Sequence, residues 1–137
     1  PAGVRSITVM FVGVSISGAD DILIQLGDSG GVEATGYLGA GTTLSGGTLG
    51  TTNYTTGFGI RGLGAAAVIH GAVKLDLEDS SDFTWVCSAL LGNSNTAEVF
   101  PTGGSKSLSA ELDRVRVTSL GGVVTFDAGA INFSRAP

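Results

Sequence analysis

Apolar and polar residues alternate with a period of two through most of this chain, and no helix-period segment is long enough to specify a helix. From Val4 to Ile16, Ile7, Val9 and Phe11 alternate with Thr8 and Met10. Val12 and Val14 then make both faces apolar, as in a strand passing from a half-exposed edge into a covered middle. Ser17 to Asp20 reads as a turn, and Ile22, Ile24 and Leu26 form the next strand. Gly27-Asp28-Ser29-Gly30-Gly31 closes that strand against residues 32–38 as a hairpin. Residues 55–61 resume the pattern with Phe58 and Ile60. Ala67, Ile69, Gly71, Val73, Leu75 and Leu77 mark one face of a long strand whose other face carries His70, Ala72, Lys74 and Asp76. Phe83, Trp85, Cys87, Ala89 and Leu91 alternate in a further strand, which assigns Trp85 to the core. Residues 97–100 predict a short strand ended by Pro101, and residues 107–113 have room for one helical turn.

Two stretches stand apart. Residues 111–134 read as a long β-hairpin: Val115 and Val117 alternate on the outgoing arm, Gly121-Gly122 supplies the turn, and Val124 and Phe126 begin the return. Asp127-Ala128-Gly129 shifts the phase before Ile131 and Phe133 take up the apolar positions, the mark of a β-bulge. Residues 39–53 are Gly, Thr and Ser with scattered Leu44 and Leu49, and predict an extended surface loop. The count is nine or ten strands. The expected fold is all-β, an antiparallel β-sandwich, jelly-roll-like, forming a single domain over residues 1–137.

Composition narrows the functional classes. Only 14% of the 137 residues are charged, against 42% hydrophobic; typical domains carry about 25% charge. Mean hydropathy is +0.37. A surface this short of charge is expected to be covered in part by copies of the same chain, a homo-oligomer. A net charge of −5 disfavours nucleic acid and anionic membrane surfaces. No apolar run reaches the roughly 18 residues of a membrane span. A single cysteine, Cys87, forbids an internal disulfide, suits a reducing cytoplasm, and reads as a small buried side chain. The chain opens on Pro1 without Met, so a longer parent chain with an upstream portion is expected.

Candidate chemistry is thin. Gly27-Asp28-Ser29-Gly30-Gly31 matches the nucleophile loop of chymotrypsin-like proteases, but those enzymes place His and Asp upstream of the Ser, and here the one His, His70, lies downstream. A polar turn explains the motif. His70 has no ligand partners at metal spacing, and no cofactor is expected. Asp20-Asp21, Glu78-Asp79 and Asp82 fall in turns, where carboxylates cap backbone amides or, in a second reading, hold a calcium ion. Asn53-Tyr54-Thr55 and Asn132-Phe133-Ser134 fit the glycosylation pattern, with nothing else to suggest secretion. Tyr37, Asn53, Tyr54 and Phe58 are the candidate binding residues: aromatics beside amides hold sugars by stacking and hydrogen bonding. The competing reading packs each aromatic inward or at a subunit seam.

Several blocks together resemble a known family. SITVMFVGVSISG (residues 6–18), ILIQLGDSGGVEATGYLG (22–39), TWVCSALLGNSN (84–95) and, most specifically, GSKSLSAELDRVRVTSLGGVVTFDAGAINFS (104–134) resemble the C-terminal receptor-binding domain of bacteriophage tail fibres. The resemblance covers nearly the whole chain except residues 39–53. It implies a homotrimer at the distal end of the fibre on the virion, assembled in the host cytoplasm, that binds a host cell-surface glycan or protein. It transfers no catalytic set, so no enzymatic activity is expected. Receptor contacts are expected in the variable loop rather than in the shared strands, which makes Tyr54 the residue whose loss should weaken adsorption and spare assembly. The alternative is a structural virion protein, of capsid or tail decoration, that binds other virion proteins. A glycan depolymerase ranks third, because Glu33, Glu98 and Glu111 give no sign of a carboxylate pair.

Overall fold

The inward positions of the alternating pattern meet across two antiparallel sheets. The structure, a computed structural model, describes residues 3–137. Among them the chain forms eleven strands: β1 (Ser6–Ile16), β2 (Asp20–Asp28), β3 (Gly31–Val32), β4 (Leu38–Ser45), β5 (Thr48–Tyr54), β6 (Phe58–Leu63), β7 (Ile69–Asp79), β8 (Thr84–Asn93), β9 (Glu98–Ser107), β10 (Arg114–Ser119) and β11 (Phe126–Ala136). Seven of them make one sheet in the order β11-β1-β7-β8-β9-β4-β5, while β10, β2, β3 and β6 make the other. The fold is a β-sandwich, as the alternation predicts, with eleven strands in place of nine or ten.

The core lies between the sheets. Val9 and Phe11 of β1, Val73 and Leu75 of β7, Leu91 of β8 and Phe100 of β9 are buried from one side. Ile22, Ile24 and Leu26 of β2, with Phe58 and Ile60 of β6, are buried from the other. Trp85 is buried as expected, although its indole N–H finds no acceptor among the described residues.

Five sequence expectations are corrected. Residues 111–134 do not form a hairpin: β10 pairs with β2, Val115 opposite Leu26 and Val117 opposite Ile24, whereas β11 pairs with β1. Periodicity specifies a strand without naming its partner, and here the chain crosses between sheets at residues 120–125. Residues 39–53 are not a loop but the β4–β5 hairpin, paired from Gly39 with Tyr54 to Ser45 with Thr48. Its inward side is built from Gly41, Thr43, Gly50 and Thr52, which give no apolar signal. β9 does not stop at Pro101. It runs on to Ser107, and only its ladder to β4 lapses beside the missing proline N–H, resuming at Val99 opposite Leu44. Residues 107–113 hold no helix, and β3 pairs with β2 over two residues only, so the predicted hairpin arm to Leu38 is much shorter.

The phase slip at Asp127–Gly129 is present as a register shift between β1 and β11, from Val12 opposite Ala130 to Ile16 opposite Phe126. Gly13 and Gly129 both take positive φ there, +65° and +84°. A Cβ on Gly129 would overlap the Gly13 carbonyl and the Val14 nitrogen.

Chain direction gives the sandwich two unlike ends. The β1–β2, β4–β5, β6–β7, β8–β9 and β10–β11 connections all fall at one end, called here the loop end. Arg5 and Ala136, bonded to each other, lie at the opposite, terminal end.

Gly129→Ala combines a forbidden backbone angle with a backbone clash, so it is expected to cost about 2–4 kcal/mol. Urea unfolding checks this as a lower midpoint at unchanged slope. A midpoint equal to the parent's would mean the bulge is not the tight element described.

Candidate functional site

Three of the four candidate binding residues are interior. Tyr37 is 1% exposed. Its hydroxyl accepts from the Leu26 amide at 2.7 Å and donates to the Glu33 carbonyl at 2.9 Å. Its ring meets Phe58 edge-on with centroids 5.1 Å apart. Burial pushes the Tyr37 hydroxyl up to about 12. Tyr54 is 2% exposed and lies against Gly41 and Gly59, positions where a Cβ would collide with the ring. Its hydroxyl donates to Asp21 Oδ2 at 2.6 Å, and burial first, then that carboxylate, pushes its pKa well above the usual tyrosine value. Asn53 alone is exposed, on the outer face of β5, its amide 3.4 Å from the Gly39 carbonyl. The structure therefore does not gather the four into a sugar-stacking surface. The reason is local: Tyr54 ends a strand rather than a loop, and its inward position is roofed by glycines.

A half-buried ionic cluster fastens the terminal end. Lys106 Nζ lies 2.5 Å from Glu33 Oε2 and 5.5 Å from the centre of the Tyr37 ring. Ser109 shares its hydroxyl between Asp28 Oδ2 at 2.6 Å and Glu33 Oε1 at 2.8 Å, and its amide also donates to Glu33. The cluster ties residues 107–113 to the β2–β3 turn. Ser109 and the Gly30 amide hold the Asp28 carboxyl below the usual range. Partial burial pushes Glu33 upward, but Lys106 and Ser109 together outweigh it and leave it lowered. These groups are engaged in structure. Glu98 is likewise occupied, accepting from Asn93 at 2.8 Å.

The other sequence motifs do not converge. Ser29 sits in the β2–β3 turn at the terminal end, and His70 lies at the loop-end start of β7, accepting from the Gly13 amide at 3.3 Å. Cys87 is buried, which pushes its thiol up to about 12. Asp20 and Asp21 cap the amides of Gly121 and Gly62 at 2.9 and 2.6 Å. Among the described residues no three His, Cys, Asp or Glu come together as metal ligands.

Two surfaces carry exposed apolar side chains. At the loop end, backbone ties hold the connections in fixed relation. Val68 N and Asn95 N both donate to Asn93 Oδ1, at 2.9 and 3.1 Å. Asn95 Nδ2 donates to the Ala66 carbonyl at 2.7 Å, and Ser17 N to the Thr125 carbonyl at 2.9 Å. Within this ordered end Val123 is 86% exposed and Leu120 48% on the β10–β11 connection, and Ala65, Asn95 and Thr96 are exposed on the β6–β7 and β8–β9 connections. The second surface is the outer face of the seven-stranded sheet, where Leu90 at 64% and Val12 at 62% stand out to solvent. Sequence reading missed both, because an outward apolar residue in a strand looks the same as an inward one until the partner sheet is known.

No protein-family model matches the chain, nor does any curated protein or solved structure.

Tyr54→Phe removes one hydrogen bond to a carboxylate and keeps the ring, so it is expected to cost about 1–2 kcal/mol in urea unfolding. Tyr54→Ala is expected to destabilise the whole fold by about 3–5 kcal/mol rather than act on binding alone. Acid supplies a second check. The folded Asp28 and Glu33 bind protons less readily than their ordinary values of 3.8 and 4.5, so the unfolded chain protonates first. Their stabilisation is therefore complete above about pH 4.5 and fades as pH falls through the lowered folded values. Stability of the Glu33→Gln variant should fall less steeply between about pH 5 and pH 2.5 than that of the parent. Equal slopes would remove Glu33 from the acid response.

Proposed function

We propose that this chain is the tip domain of a bacteriophage tail fibre, a homotrimer that binds a host cell-surface glycan or protein and so attaches the virion. The observation that carries this reading is the loop end: five connections, four of them cross-tied in pairs by hydrogen bonds, at the opposite end from Arg5 and Ala136. A domain entered from its terminal end presents that surface outward. Its exposed Val123 and Leu120 lie on the β10–β11 connection, and polar Asn95 and Thr96 on the β8–β9 connection of the same end. Such a mixture of apolar knobs and amide donors suits recognition by shape and hydrogen bonding.

The sequence blocks that resemble tail-fibre tips support the same reading. They form β1, β2, β8 and the β9–β11 run, which make the scaffold under these loops. The β4–β5 tip, Ser45 to Thr48, belongs to the stretch outside the resemblance and also lies at the loop end. Three copies on one fibre raise weak single-site affinity by about 10²–10⁴ through avidity.

A structural virion protein is the second reading, favoured by the apolar outer face, which suits contact with other virion proteins. Fluorescently labelled domain separates the two when applied to intact cells of a panel of bacterial strains and to fibre-stripped virions. Binding to cells of some strains is expected, reduced roughly tenfold or more by Val123→Asp combined with Asn95→Ala. Binding to stripped virions and to no cell would replace adhesion by the structural role. Cell binding untouched by the double variant would move the contact away from the loop end.

A further inference from the structure

We infer that the outer face of the seven-stranded sheet is the seam between copies of this chain. The inference rests on the homo-oligomeric part of the proposed function and adds the surface at which the copies meet. Cross-strand register aligns the outward residues in rows. One row runs from His70 through Gly92, Val99 and Leu44 to Leu49. The next carries Met10, Ala72, Leu90 and Pro101. A further row carries Asp76 opposite Val86. Leu90, Leu49, Val99 and Leu44 are 64, 66, 40 and 40% exposed, a contiguous apolar field on β8, β9, β4 and β5, and Val86, 38% exposed, lies two rows beyond Leu90.

Charge selects the occupant. Asp76 and Lys74, the latter in the intervening row opposite Ser88, lie 3.4 Å from each other and offset each other's charge. The whole chain carries −5, so copies repel wherever their acidic turns approach. This face is where copies approach without that cost. A basic partner would be drawn to the acidic turns instead. Small outward residues, Ala72, Gly92, Gly103 and Ala40, leave hollows between the knobs Leu90 and Leu49, so the face offers both halves of an interlocking contact.

Size fits as well. Five strands at about 4.8 Å spacing and roughly eight residues long at about 3.4 Å each give a face of about 650 Å² before corrugation. That approaches the roughly 800 Å² that each partner contributes to a standard stable interface.

Light scattering on the parent, on Leu90→Lys combined with Val99→Lys, and on Ser88→Cys tests the seam. Both lysines enter at exposed positions, so the sheet is expected to fold unchanged by circular dichroism. The expected result is a multimeric parent and a monomeric double-lysine variant. In Ser88→Cys, whose thiol stands on the outer face while native Cys87 stays buried, iodoacetamide should react slowly. The rate should rise roughly tenfold or more when the two lysines are added. A parent that is itself monomeric overturns both the oligomeric reading and the seam. A multimeric parent with an equally multimeric lysine variant, or with a freely reactive Ser88→Cys thiol, overturns the seam and leaves the oligomer standing. Should the lysine variant fail to fold, the thiol rate in the otherwise unaltered multimer decides alone.

Discussion

The sandwich closes on one side because the Tyr54 ring lies flat against two residues without side chains. At Gly59 a Cβ would sit inside the ring, and at Gly41 it would press on the ring edge at 3.0 Å. That contact lets the β4–β5 hairpin curl over β6, which is itself paired to β2 in the smaller sheet. Polar bonds then fix the approach. Thr102 Oγ donates to the buried Gly59 carbonyl at 2.6 Å, Thr43 Oγ to the Arg61 carbonyl at 2.8 Å, and Arg61 Nε to Thr52 at 2.8 Å. At the far edge of the large sheet nothing equivalent covers β11, so Phe133 keeps 46% exposure although it faces the core side. One edge is locked and the other open.

How far the sequence could be read follows from the same chemistry. Strands whose inward residues are large, such as Val9 and Phe11 or Trp85 and Leu91, declare themselves by alternation. The β4–β5 hairpin does not, since its inward surface is made of glycine and threonine that fit under an arginine and a tyrosine. The bulge was legible because Gly129 interrupts a clear pattern and the register shift follows it. The pairing of β10 and β11 was not legible. Gly121-Gly122 is an adequate hairpin turn in isolation, and only the competing ladders to β2 and β1 decide against it. Among the candidate site residues, chemical type drew attention to Tyr37, Tyr54 and Phe58, and burial then removed them. Val123 and Leu120 carry no chemical signal at all. They become notable only once three dimensions show them exposed at the loop end.

Rigidity of the loop end comes from where side-chain oxygens were placed. Buried Asn93, 8% exposed, serves the amides of two connections at once and is itself oriented by Glu98. Loops ordered before contact lose little conformational freedom on binding, so more of each contact appears as affinity. The same economy is at work in Asp20 and Asp21, which the structure places at the start of β2 rather than in the turn expected from sequence. They cap the amides of Gly121, just past β10, and Gly62, within β6, and thereby tie the start of β2 to both.

With Tyr37, Tyr54, Phe58, Phe11, Phe100 and Trp85 all buried, the loop end has few rings to offer as stacking platforms. In the proposed function, recognition there uses small apolar knobs and amides, which makes each single contact weak. Weak contacts serve attachment only if several face the same way. In the proposed trimer the copies are related by rotation, and an axis along the strands points every loop end the same way. A contact on the outer sheet face meets that requirement, since this face lies parallel to the strands and leaves every loop end pointing along the axis. A contact at either end of the sandwich would bury the loops or obstruct the entering chains. The burial of the aromatics and the apolar outer face therefore belong to one design: the first limits what a single copy can hold, and the second supplies the others.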